Sequence, residues 1–136
     1  MSVLADTSVL SLVLRRRKRP TPEGAHAAAL RRMLDDDEAV AIAGITLQEV
    51  LSGIRDPAAF AKIEDLLESM PVLLATTEHH ALAARIFNAC VAKGVVPSAV
   101  DCLIAATAVG HDAELLTTDD DFGRMAPHCG LRIFAP

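Results

Sequence analysis

The stretch Val3-Leu4-Ala5-Asp6-Thr7-Ser8 decides how this chain folds. Three apolar residues make a short buried strand, and a carboxylate and two hydroxyls mark where the chain leaves it. In a parallel sheet, chemistry gathers just beyond the carboxyl ends of the strands, where loops depart for the next helix. Asp is also an ordinary turn and N-cap residue. Asp6 therefore gains meaning only if other acids reach the same edge.

Outward from this strand, apolar residues 9–14 start a helix that runs into Arg15-Arg16-Arg17-Lys18-Arg19. The positive run suits the negative pole of a helix dipole. Pro20 and Pro22 mark a loop, and residues 23–34 form a helix with Ala27, Leu30 and Leu34 on one face. Asp35-Asp36-Asp37-Glu38 is a solvated turn, because adjacent side chains diverge and do not converge on one ion. Residues 39–45 read as a second strand, followed by a helix opening at Thr46 and running to about Ile54. Asp56-Pro57 is an N-cap with proline at the first helical position, opening a helix to about Met70. Residues 72–75 make a third strand. Thr77 caps a helix over 78–93 that closes at Gly94, and Pro97-Ser98 opens another that ends at Gly110. Residues 114–117 form a fourth strand and 131–134 a short last one. Strands alternating with helices predict an α/β fold, a mainly parallel sheet covered on both faces.

At 136 residues and 51% hydrophobic, the chain is expected to form one domain over 1–136 with a proper core. Its apolar runs are too short and interrupted to span a bilayer. The start does not read as a secretory signal, since Asp6 interrupts the apolar segment and the arginines follow it. Cys90, Cys102 and Cys129 are odd in number, widely spaced and without a C-x-x-C pair, which fits free thiols in a reducing cytoplasm. A net charge of −5 argues against sequence-independent nucleic-acid binding over the whole surface, although not against a local basic patch. With aromatics at 3% and neither Trp nor Tyr, a base-stacking platform is excluded as the main grip.

Three further acids fall where the pattern places the edge reached by Asp6. Glu49 follows the second strand, although Thr46-x-x-Glu49 also reads as a capping box. Asp101 lies in the first turn of a helix that is apolar almost all round, from Ala99 to Val109. A buried carboxylate there costs on the order of several kcal/mol unless it is compensated, and no basic residue lies within a turn of it. Asp119 directly follows the fourth strand and begins the acid run Asp119-Asp120-Asp121. Phe122 anchors the next turn in the core, so at most one or two of those three acids face the sheet edge. A like-charged pair about 4 Å apart costs on the order of 4 kcal/mol at an effective dielectric of 20. Clustered carboxylates without converging His or Cys point to a hard divalent cation, Mg²⁺ or Mn²⁺, and not to zinc. Arg15 to Arg19 reads either as a solvated helix end or as a contact for phosphate or an acidic partner.

These segments resemble the PIN-domain family, and within it the toxin ribonucleases of bacterial VapBC-type toxin–antitoxin pairs. Asp6-Thr7-Ser8-Val9-Leu10 is similar to the family's opening motif, and Thr46-Leu47-Gln48-Glu49-Val50-Leu51-Ser52-Gly53 to the segment bearing its second acid. Asp101-Cys102-Leu103-Ile104-Ala105-Ala106-Thr107-Ala108 is similar to the third, and Leu116-Thr117-Thr118-Asp119-Asp120-Asp121-Phe122 to the fourth. The resemblance implies a three-layer fold with sheet order 3-2-1-4-5. It also implies Mg²⁺- or Mn²⁺-dependent endoribonuclease activity, a homodimer, and a small VapB-like antitoxin as partner. It makes Asp6 and Asp101 the principal metal ligands, with Glu49 and Asp119 in support and Asp121 as the second choice for the fourth acid. Thr7, Ser8 and Thr117 become candidates to orient the carboxylates. Other enzyme classes fit worse. Haloacid-dehalogenase-like phosphatases need an acid where Ser8 stands, and receiver domains need a late lysine where none of Lys18, Lys62 and Lys93 falls. A PIN nuclease of RNA processing without a toxin role, and a non-catalytic PIN-like binding module, remain the competing readings.

Overall fold

The structure, a computed structural model, describes residues 2–14 and 24–136; the basic run Arg15 to Arg19 lies outside them. The opening strand β1 (Ser2–Ala5) is the centre of the sheet. It pairs in parallel with β2 (Val40–Ala43) on one side, Val3 opposite Val40, and with β4 (Ala113–Leu116) on the other, Leu4 opposite Leu115. The two-residue β3 (Val72–Leu73) adds outside β2, which gives the order β3-β2-β1-β4. The expected fifth strand shrinks to one bridge. Ile133 lies parallel to Leu115, with the Leu115 N–H donating to Arg132 O (2.9 Å) and the Phe134 N–H to Leu115 O (2.8 Å).

Helices cover both faces because strand side chains alternate. Leu4, Ala41, Ala43 and Leu115 point into one core with Ile86 and Cys90 of α5 (Thr77–Val91), Ile104 and Ala105 of α6 (Ala99–Gly110), and Phe122 and Met125 of α7 (Asp120–Met125). Val3, Ala5, Val40, Ile42 and Leu116 point into the other. There they meet Val9 and Leu10 of α1 (Thr7–Leu14), Leu30 and Met33 of α2 (Ala25–Asp35), Leu47 of α3 (Gly44–Leu51), and Leu67 of α4 (Pro57–Glu68). The result is the expected helix–sheet–helix sandwich. Among the described residues, no helix is long and apolar enough to cross a membrane. Cys90 and Cys102 are buried and Cys129 half-buried, all three as free thiols, and burial pushes Cys102 up to about 11.

Two helix starts differ from expectation. α3 begins at Gly44, directly after β2, so the capping box at Thr46 and Glu49 does not form. Thr46 lies wholly buried in the first turn, its hydroxyl without a hydrogen-bond partner, and the Glu49 carboxylate accepts from Thr7 instead of capping the helix. α5 is capped by Thr76 and not Thr77. The His79 N–H donates to Thr76 Oγ1 (3.2 Å), and the Thr76 N–H donates back to His79 Nδ1 (3.1 Å). His79 therefore fills the place of the Glu or Gln of an ordinary capping box. Its ring packs 4.9 Å from that of His111 and lies over Gly110, where an added Cβ would fall 2.4 Å from Nε2.

Candidate active site

The parallel register brings the carboxyl ends of β1 and β4 side by side, with Ala5 opposite Leu116, so Asp6 and Thr117 leave the sheet together. Asp6 is only 5% exposed. Its Oδ2 accepts hydrogen bonds from Ser8 Oγ and Thr117 Oγ1, both at 2.9 Å. The same two hydroxyl oxygens accept backbone N–H groups from the loop after β4: Thr118 N–H donates to Ser8 Oγ and Asp119 N–H to Thr117 Oγ1, both at 3.0 Å. Each hydroxyl thus has its proton on Asp6 and its lone pair on the loop that carries Asp119. The three residues lock one acid-bearing loop to the other.

Asp101 comes from the opposite wall. Ser98 caps α6 by accepting from the Asp101 N–H (3.1 Å), which sets the acid in the first turn facing the sheet edge. It is half-buried, less enclosed than the apolar sequence around it suggests, because the first turn of α6 reaches the surface. Its carboxyl is held above the ordinary value of 3.8, chiefly by desolvation, then by the charge of Asp119 and more weakly by Asp6 and Asp121; the Ser98 hydroxyl opposes the rise. Three acids from two other segments therefore act on Asp101 through space. A cation held among these acids would relieve that repulsion.

The fourth segment supplies two acids. Asp119 caps α7, its Oδ1 accepting from the Asp121 N–H (2.9 Å), and this turn swings Asp121 alongside. One oxygen from each of Asp101, Asp119 and Asp121 lies within 4.8 Å of the others. Asp120 points to solvent while Phe122 is buried, as the sequence pattern requires. The choice between Asp119 and Asp121 is therefore not exclusive, because both converge with Asp101. Asp6 is close enough to act on the charge of Asp101 but does not join the trio, and its Oδ2 is bonded to the hydroxyls of Ser8 and Thr117. Glu49, one turn beyond Thr46 on α3, reaches the rim, where Thr7 Oγ1 donates to its Oε1 (3.2 Å). It does not join the trio.

Sequence reasoning missed Arg124. It forms an ion pair with Asp121, its terminal nitrogen donating to Oδ1. The signal was available as an acid and a base three residues apart at a helix start, Asp121-x-x-Arg124.

Among the described residues, the donor atoms that converge at this edge are carboxylate oxygens, the donor set of a hard divalent ion, with neither imidazole nor thiolate among them. The residues fit Mg²⁺ or Mn²⁺.

Comparison with known proteins agrees with this architecture. The PIN domain family matches residues 3–127. Ribonuclease VapC11 of Mycobacterium tuberculosis is 34% identical over 103 residues, which cover 74% of this chain and 77% of that protein. VapC ribonuclease Mb1587 of Mycobacterium bovis aligns equally well. Among solved structures, DNA-bound VapBC from Salmonella typhimurium superposes with a TM-score of 0.78 at 19% identity, covering 98% of this chain and 97% of that one. VapBC2 from Rickettsia felis, bound to a DNA fragment from its promoter, gives 0.77 at 19% identity and covers 98% of each chain. These two show the likeness of fold. The match over nearly the whole chain, and relatives 34% identical over 103 residues, establish that the chain belongs to the PIN-domain family.

Proposed function

We propose that this protein is an endoribonuclease dependent on Mg²⁺ or Mn²⁺, acting in the cytoplasm as the toxin of a VapBC-type pair. The observation that carries the reading is the convergence of Asp101, Asp119 and Asp121, together with a buried Asp6 whose position is fixed by Ser8 and Thr117. Such crowding is unfavourable without a cation. The ribonuclease names of the mycobacterial relatives support the choice of RNA. The antitoxin-bound form of the Salmonella and Rickettsia neighbours supports a small VapB-like antitoxin as partner, and a homodimer fits the same family reading.

In this reading Asp6, Asp101 and Asp119 hold the metal, with Asp121 completing the cluster and Glu49 positioning the ion or its waters from the rim. The bound ion supplies activation of water and polarisation of the phosphodiester for in-line hydrolysis. The chain's own residues prepare the site. Ser8 and Thr117 donate their hydroxyl protons to Asp6, which holds that carboxylate in one orientation. Thr7 orients the Glu49 carboxylate through its own hydroxyl. The acids cannot bind a phosphate by themselves, since like charges repel until a cation inverts the local field.

The test is cleavage of a mixed-sequence RNA by the isolated chain. The proposal expects cleavage with Mg²⁺ or Mn²⁺, its loss in EDTA, and its loss in Asp6→Asn with the circular dichroism spectrum unchanged. An Asp6→Asn protein that cuts RNA at the wild-type rate would overturn it. Growth arrest on expression, cancelled by Asp101→Asn, separates a toxin from a nuclease of RNA processing. A chain that binds Mn²⁺ yet cleaves no RNA would favour the binding-module reading.

A further inference from the structure

We infer that Arg124 is a phosphate-binding cation of this site, a substrate contact for RNA and not a brace for Asp121. The inference rests on the metal-dependent ribonuclease reading above and deepens it. Asp6, Glu49, Asp101, Asp119 and Asp121 stand at one sheet edge, and a single divalent ion offsets only two of their charges. The edge stays negative after the ion binds, yet the substrate is a polyanion. A second positive group is needed within reach of the scissile phosphate. Among the described residues, Arg124 is the cation for which the structure shows an ion pair with an acid of this cluster.

Its geometry suits that task. Asp121 carries one of the three converging carboxylates, so a guanidinium bonded to Asp121 Oδ1 stands at the mouth of the cluster. The Arg124 side chain is 62% exposed, so its remaining N–H groups face solvent. A guanidinium offers five donors in a planar fork, matched to two oxygens of one phosphate. Only one of its nitrogens is bonded to Asp121, and an exposed i,i+3 pair contributes little to helix stability. Once a cation shares the charge of Asp121, that nitrogen is released for the substrate as well.

A phosphate contact and a structural brace predict opposite behaviour. The experiment uses the isolated chain, wild type and Arg124→Ala, with Arg124→Lys as the conservative variant. Mn²⁺ binding is measured by calorimetry. Binding of a fluorescent single-stranded RNA oligonucleotide is measured by anisotropy across a salt series, with Ca²⁺ as the hard cation. For Arg124→Ala the expected result is RNA affinity weaker by about tenfold or more, and a slope of log affinity against log salt shallower by about 0.7, one phosphate contact on a single strand. Mn²⁺ affinity should be unchanged or tighter, because a competitor for Asp121 is gone. Arg124→Lys should recover the salt slope and only part of the affinity. Wild-type RNA affinity and slope in Arg124→Ala would overturn the inference, and so would loss of Mn²⁺ binding in that variant, which would make Arg124 a brace. A wild-type chain that binds neither Mn²⁺ nor RNA would overturn the ribonuclease reading itself, and Arg124's role with it.

Discussion

Asp6 is the most enclosed acid of the edge, and its surroundings show why two hydroxyls follow it in the sequence. Thr117 joins Asp6 to the backbone of the loop bearing Asp119, so Thr117→Val removes a charge-assisted hydrogen bond and unfastens that loop at once. The expected outcome is Mn²⁺ affinity lower by about 10- to 100-fold, the usual cost of losing a group that orients a ligand; calorimetry that finds wild-type affinity would contradict it. Asp101 makes the opposite prediction for stability. Its carboxyl is raised in the folded chain, so the stability it contributes is complete below its unfolded value of 3.8 and is lost as pH rises through the higher folded value. At neutral pH the metal-free protein carries that penalty in full. Asp101→Asn should therefore raise the Tm of the metal-free protein at pH 7, and the gain should shrink as the pH falls toward 4 or so. Thermal unfolding in EDTA across that range checks this, and a lower Tm in the variant at pH 7 would refute it.

At the scale of elements, the sequence was most legible where local chemistry alone decides the outcome. Gly94 ends α5 as expected, at φ 80°, with its N–H donating to Val91 O (3.0 Å) and the Val95 N–H donating to Cys90 O (2.9 Å). Both bonds of a Schellman stop are present. Gly94→Ala should cost about 1 kcal/mol in urea unfolding with the m-value unchanged. Asp56-Pro57 is equally plain, with the Ala59 N–H bonded to Asp56 Oδ2 (2.9 Å). The misreadings come from competition between levels. Thr46-x-x-Glu49 has the letters of a capping box, but β2 is buried through Ala43 and the chain turns into α3 immediately, which carries Thr46 past the cap position. Neither Thr76 nor Thr77 is marked as the cap by type. His79 decides it, because its ring can reach the Thr76 N–H while packing over Gly110. The last strand reads as a strand by composition, yet only Ile133 finds a register beside Leu115.

At the scale of the whole molecule, β1 joins the two cores, sending Leu4 to one and Val3 and Ala5 to the other, and it ends where the acids meet. The shared edge was legible because strand carboxyl ends and helix starts meet at one edge of a parallel sheet, whereas the order of strands came from the family resemblance. The convergence of Asp121 with Asp101 was not, since it depends on the turn made by the Asp119 cap. If this edge holds a cation, the ion should stabilise the fold. Mn²⁺ at about 100 times its dissociation constant should stabilise the fold by about 2.7 kcal/mol, seen as a rise in Tm that EDTA reverses. The most direct test is a Mn²⁺ titration of the wild-type chain against Asp101→Asn. The account predicts saturable binding by the wild type and at least a tenfold loss in the variant, with the fold intact. Equal affinity in the two proteins, or no binding by the wild type, would contradict it.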